Sequence, residues 1–203
     1  MSLAERIALV NEKIAAAARQ AGREPSEVTL VAATKVQTSD TIRQAIAAGV
    51  TICGENRVQE MTAHLDDDAY AGAALHFIGH LQTNKVRQVV GRVELIESVG
   101  SEHLLEAIEA QAAKLELVQD IQLEVNIGGE ASKSGISPEE LSALAAQAVG
   151  SPHVRLRGLM AIPPVAAGPD GNRPFFAKMR QLYVDIRSQM DDKRLALTVF
   201  PWV

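Results

Sequence analysis

A TIM-type α/β barrel is the fold that this 203-residue sequence predicts, and three observations predict it. Strand-like and helix-like stretches alternate along the whole chain, which implies a parallel sheet with right-handed crossovers. Seven such units can be read in the sequence, close to the eight of a closed barrel, and the length suits one domain at the short end for that fold. Polar residues gather where the predicted strands end, the face on which barrels build their sites. The expectation is one barrel domain over residues 1–203, with an open doubly wound sheet as the alternative, because periodicity does not count closure.

The elements follow in order. Ser2 and Glu5 form a capping box, and Leu3, Ile7, Val10, Ile14 and Ala18 recur at helical spacing until Gly22. Val28, Leu30 and Val31 lead through Ala32-Ala33-Thr34 to Lys35, a run without charge after Glu27 that reads as a fully buried strand. Thr38, Ser39 and Asp40 offer caps for a helix with Ile42, Ala45 and Ile46, ending at Gly49. Val50 to Cys53 is a second strand, with a helix through Val58 and Met61 behind it. Leu75 to His80 is a third strand, followed by a helix from Asn84 to Val90. Val93 to Val99 is a fourth, and Ser101 caps the helix with Leu104, Leu105, Ile108 and Ala112. Ile121 to Ile127 is a fifth strand, and Ser137-Pro138-Glu139-Glu140 is a strong helix start. Val154 to Ile162 is a sixth strand, with Arg155 and Arg157 paired or snorkelling outside. A loop through Gly168 and Pro169 leads to a helix marked by Phe175, Met179, Leu182, Ile186 and Met190, and Leu195 to Phe200 reads as a seventh strand.

Composition narrows the function classes. Twenty basic against 25 acidic residues leave a net charge of −5, which argues against general affinity for nucleic acid or anionic membranes. The single cysteine, Cys53, excludes an intrachain disulfide and a multi-cysteine metal site, and reads as a small core hydrophobe. No apolar run reaches membrane-spanning length, and Glu5 and Arg6 stand where a signal peptide would be uncharged. The reading is a cytoplasmic protein.

Four stretches carry chemistry. Lys35 stands at a strand end, where a partly desolvated amine becomes a nucleophile toward carbonyls; the plain alternative is the first solvated residue after a core strand. Gly54-Glu55-Asn56-Arg57-Val58-Gln59-Glu60 places Asn56 where its amide can meet a ligand or simply cap a helix. His76-Phe77-Ile78-Gly79-His80-Leu81-Gln82-Thr83-Asn84-Lys85 ends a strand on glycine and His80, although a lone histidine is more often structural. Glu124 to Gly135 contains Asn126 and the pair Gly128-Gly129, an anion nest or an ordinary turn.

Taken together, ATK, GENRVQE, HFIGHLQTNK, EVNIGGEASKSG and RGLMAI, in unbroken order over roughly residues 3 to 190, resemble the YggS/PROSC family of pyridoxal phosphate homeostasis proteins. The resemblance implies the barrel of the alanine racemase N-terminal domain. It also implies pyridoxal 5′-phosphate held as a Schiff base on Lys35, with Asn56, His80, Asn126 and Met160 at strand ends around the cofactor ring. Members of that family are regarded as buffering or delivering the cofactor and influencing amino- and keto-acid pools, as monomers without established turnover. A racemase is the alternative, but it needs a second acid/base, typically a tyrosine from an added domain, and Tyr70 and Tyr183 fall in a loop and in a helix pattern. A cofactor-free Schiff-base aldolase is a third possibility that the motifs disfavour.

The pattern departs from the family at the C-terminus. The resemblance leads one to expect a serine-bearing turn, a further helix and an eighth strand with an Arg-Ile-Gly-Thr motif, whereas this sequence closes on Phe200-Pro201-Trp202-Val203. The barrel is therefore expected to be truncated before its eighth strand, with weakened phosphate binding or a cofactor-free barrel as consequences. Association through unpaired strand edges is the further expectation, to be read from size-exclusion chromatography at several concentrations.

Overall fold

A computed structural model of the chain describes residues 1–130, 134–165 and 170–189. The chain divides into two compact units, Met1–His76 and Phe77–Val203. The seventh strand expected over 195–200, Gly168 and Pro169, Met190, and residues 131–133 of the fourth motif lie outside the described residues.

The first unit opens with α1 (Leu3–Gln20), whose Ser2 and Glu5 form the expected reciprocal cap. Strand β1 (Val31–Ala33) leads to α2 (Ser39–Ala47), capped by the Thr38 side chain. Strand β2 (Ile52–Glu55) then leads to α3 (Val58–Asp66). The strands β1 and β2 run parallel, with Val31, Ala32 and Ala33 opposite Ile52, Cys53 and Gly54. That register sets the residues following Ala33 beside those following Gly54. Cys53 is fully buried, as its composition suggests, and burial followed by the Glu55 charge pushes its thiol up to about 11. The expected fully buried strand ending at Lys35 is corrected: β1 stops at Ala33, is only partly buried, and leaves Lys35 exposed in a turn. Strand β3 (Ala74–Phe77) follows, its Ala74 amide donating to the Thr51 carbonyl.

In the second unit a short 3-10 turn at Thr83–Gln88 takes the place of the expected helix. Then come β4 (Leu95–Val99), α4 (Glu102–Lys114), β5 (Gln119–Glu124), α5 (Leu141–Gly150), β6 (Val154–Met160) and α6 (Arg173–Gln189). Strands β4, β5 and β6 pair in parallel, in that order. Every residue of β4 is buried, as are Ile121 and Leu123 of β5 and Leu156 and Leu159 of β6. The buried Gln119 clamps the start of this sheet: its carbonyl oxygen accepts from the Gly91 amide at 3.0 Å and its amide donates to the Val93 carbonyl at 3.2 Å. Arg155 pairs with Asp120 through two hydrogen bonds, at 2.6 and 3.0 Å, and Arg157 lies 3.5 Å from the same carboxylate. The two arginines inside an apolar strand are thus accommodated by one acid on the neighbouring strand.

Candidate functional site

Lys35 sits in a β-turn from Thr34 to Gln37, closed by the Gln37 amide on the Thr34 carbonyl at 3.1 Å. Its third residue, Val36, has φ +56°. A type II turn demands positive φ at that position and normally uses glycine, so a β-branched residue there is strained. Strain of this kind persists only where the surroundings hold it, and it concentrates at functional positions. The Val36 amide donates to Glu60 Oε2 at 2.9 Å, a bond that holds the Glu60 carboxyl below its usual range. The Val36 side chain is 76% exposed, so little packing is lost with it. Val36→Gly is accordingly expected to stabilise the protein by about 1 kcal/mol, relieved strain outweighing the added unfolded-state entropy. A urea midpoint that falls would contradict this.

Asn56 follows β2, whose Gly54 stands opposite Ala33 at the end of β1. Its Oδ1 is buried and receives no hydrogen bond among the described residues, which equips it to accept one from a bound group. Lys35 and Asn56 thus each stand just beyond the carboxyl end of one of two neighbouring parallel strands. Beneath them is a buried network that the sequence reading missed. Glu55, wholly buried, accepts through Oε1 from the Thr34 hydroxyl at 2.7 Å and the Tyr70 hydroxyl at 2.8 Å, with His64 Nδ1 at 3.0 Å. Tyr70 occupies a loop, as expected, yet its hydroxyl reaches the end of β2. Burial first, then the bond to Glu55, push its pKa far above the usual tyrosine range.

The second unit places His80, Asn126 and Met160 at or beyond the ends of β3, β5 and β6. Met160 is the last residue of β6, buried, opposite Glu124. The Asn126 amide is engaged locally: its nitrogen donates to the Glu130 carbonyl at 2.9 Å, and its oxygen accepts from the Glu130 amide at 3.2 Å. His80 is exposed and borders a cavity of about 460 Å³ shared with Ser98, Gly100, Glu124, Ser134 and Gly135. Glu124 Oε1 accepts from the Ser134 hydroxyl at 2.6 Å, while Glu124 Oε2 and the Ser98 hydroxyl are buried without partners among the described residues.

Glu124 is held above its ordinary value of 4.5 by burial, against the opposing pull of the Ser134 bond and the His80 charge. A carboxyl raised on folding binds its proton more tightly in the folded state. Its contribution to stability is full below pH 4.5 and is lost as the pH rises through the raised value. Glu124→Gln, which keeps an oxygen for Ser134, should therefore flatten the decline in unfolding free energy above pH 4.5. An unchanged slope in urea titrations would reject this assignment.

Among the described residues no group of three or more metal-ligating side chains occurs, and no helix is long and apolar enough to cross a membrane.

Comparison with known proteins adds to this geometry. Residues 10–200 match the family model described as alanine racemase, N-terminal domain. The pyridoxal phosphate homeostasis protein of Aquifex aeolicus is 38% identical over 93% of this chain and 83% of its own length. That of Pseudomonas aeruginosa is 36% identical over 97% and 86%. The structure of PipY from Synechococcus elongatus with PLP bound superposes with a TM-score of 0.80 at 30% identity, over 97% of this chain and 86% of that one. An alanine racemase from Clostridium difficile matches with a TM-score of 0.69 at 11% identity, over 84% of this chain and 45% of that one, a likeness of fold alone. These matches select the alanine racemase barrel over the doubly wound sheet.

Proposed function

This chain belongs to the pyridoxal phosphate homeostasis family, on the barrel of the alanine racemase N-terminal domain, and from that premise we propose that it binds pyridoxal 5′-phosphate covalently through Lys35. Its role is to hold and hand on the cofactor in the cytoplasm, without turnover of its own. The observation that carries this reading is the Lys35 turn: a primary amine presented beyond β1 by a strained, braced backbone. The residues fit the group. The cofactor supplies an aldehyde, with which the Lys35 amine would condense. Lys35 is exposed and open to an entering aldehyde, and the buried Asn56 Oδ1 stands ready to accept a hydrogen bond. His80, Asn126 and Met160 are proposed as further cofactor-shaping residues, each at a strand end of the second unit. Tyr70 is a poor second acid/base, because its hydroxyl is buried and donates to Glu55. That favours holding the cofactor over racemising an amino acid.

The test is to add pyridoxal 5′-phosphate, record the visible spectrum, fix any adduct with borohydride and map it by mass spectrometry. A pyridoxyl group on Lys35, absent from Lys35→Ala, is expected. Adducts spread over several lysines, or none, would overturn the assignment.

A further inference from the structure

The Lys35 turn is tied down at three of its four residues, all within the first unit. Thr34 donates its hydroxyl to Glu55, and the Val36 amide donates to Glu60. The third tie runs through His64 on α3, whose Nε2 lies 3.1 Å from the Gln37 carbonyl oxygen. Its Nδ1 lies 3.0 Å from Glu55 Oε1 and 3.1 Å from the Tyr70 oxygen. A carbonyl and a carboxylate can only accept, and the Tyr70 hydrogen is directed at Glu55. Both ring nitrogens therefore face acceptors. A doubly protonated imidazole satisfies both contacts at once, whereas a neutral ring has one N–H and must leave one of them.

We propose that His64 is a positioning residue for Lys35: with two protons it bridges the Gln37 carbonyl to the Glu55 carboxylate and locks the turn, and on losing one it releases an end, so that the hold on the Lys35 amine follows the protonation of His64. The proposal rests on the reading of Lys35 as the cofactor-bearing amine. Free imidazole changes charge between about pH 5 and 8, which is the range in which to look for such a release. The titratable groups around the ring are Glu55 from β2, Glu60 on α3, Asp67 at its end and Tyr70 beyond. The first turn residue to feel the release is Gln37, whose carbonyl closes onto the ring. Val36 is next, because its left-handed backbone relaxes once its neighbour is loose.

Two measurements test the device. The first needs no cofactor: amide hydrogen exchange of the peptide containing Thr34 to Thr38, from pH 5 to 8, corrected for intrinsic exchange. The wild-type protein should lose protection across that range. His64→Leu should exchange at least tenfold faster throughout, and His64→Gln, which keeps a donor for one contact but cannot titrate, should show intermediate protection without the pH step. Tyr70→Phe leaves both ring contacts to backbone and carboxylate in place and should keep the step. The second measurement is release of borohydride-sensitive cofactor from Lys35, expected to be several-fold faster in His64→Leu and to lose its pH step in His64→Gln. Wild-type protection and release in a folded His64→Leu protein, or a step that survives in His64→Gln, overturns the proposal. Should His64→Leu fail to fold, the comparison of His64→Gln with wild type decides. If borohydride fixes no adduct on wild-type Lys35, the cofactor reading fails while the exchange measurement still decides the role of His64.

Discussion

Gly135→Ala is expected to destabilise the protein by roughly 3–5 kcal/mol, combining backbone strain with overpacking. Gly135 has φ +102°, a conformation that side chains rarely adopt. A Cβ there would lie 2.8 Å from the Asn126 nitrogen and 3.0 Å from both the Glu124 oxygen and the Val125 carbonyl carbon. All three are backbone atoms at the end of β5, which no rotamer change can move aside. Nor can the residue retreat in the other direction, since Gly100 packs against it so closely that a Cβ on Gly100 would sit 2.8 Å from the Gly135 Cα. What holds the two backbones together is a short parallel pairing, with Ile136 donating to the Glu124 carbonyl at 2.9 Å and Asn126 donating to the Ile136 carbonyl at 2.8 Å. Inserting a methyl group must lengthen these bonds or shift the segment off β5. Gly129→Ala is the control: φ is +66° but nothing among the described residues lies within 4 Å of the added Cβ, so strain alone applies, about 1 kcal/mol. Urea unfolding separates the cases. Equal losses for the two variants would mean that close packing at Gly135 is not what stabilises this corner.

Much of the scaffold could be read from local chemistry. Ser2, Thr38 and Ser101 were legible as caps because a cap depends on a few consecutive residues, and all three accept the expected amide. Arg155 and Arg157 called for an acid from their place in an apolar strand, and the parallel register supplied Asp120. Lys35 was legible from its place after β1, although the assumption of a desolvated amine failed because the strand ends two residues earlier. The network beneath it was not legible. Glu55 stands inside a motif whose neighbour Asn56 drew attention, His64 lies nine residues on, and Tyr70 fifteen. No local periodicity joins them, since they meet only when α3 packs back on β2. The strained Val36 was equally hidden, for a valine signals strand, and only its φ betrays the turn.

Replacing Glu55 should show how far the site depends on that hidden network. Glu55→Ala leaves the Thr34 hydroxyl, the Tyr70 hydroxyl and the His64 ring without their common acceptor, in a place water does not reach. Removing one partner of a buried charged cluster costs about 3–5 kcal/mol, because the groups left behind keep their desolvation penalty. Glu55→Gln is the milder change. It retains an oxygen at the Oε1 position and puts its nitrogen at Oε2, which is buried and receives no hydrogen bond among the described residues. Its cost is the weakening of charge-assisted bonds to neutral ones, about 1 kcal/mol. The two variants should therefore differ by at least about 2 kcal/mol in urea, since one keeps the acceptor and the other deletes it. A Glu55→Ala protein within about 1 kcal/mol of wild type would mean that the donors find other acceptors, and the bracing of the Lys35 turn would lose its foundation. If the expected gap appears, the strained conformation of Val36 is sustained by a carboxylate one strand away, and the presentation of Lys35 is a property of the β1–β2 pair as a whole.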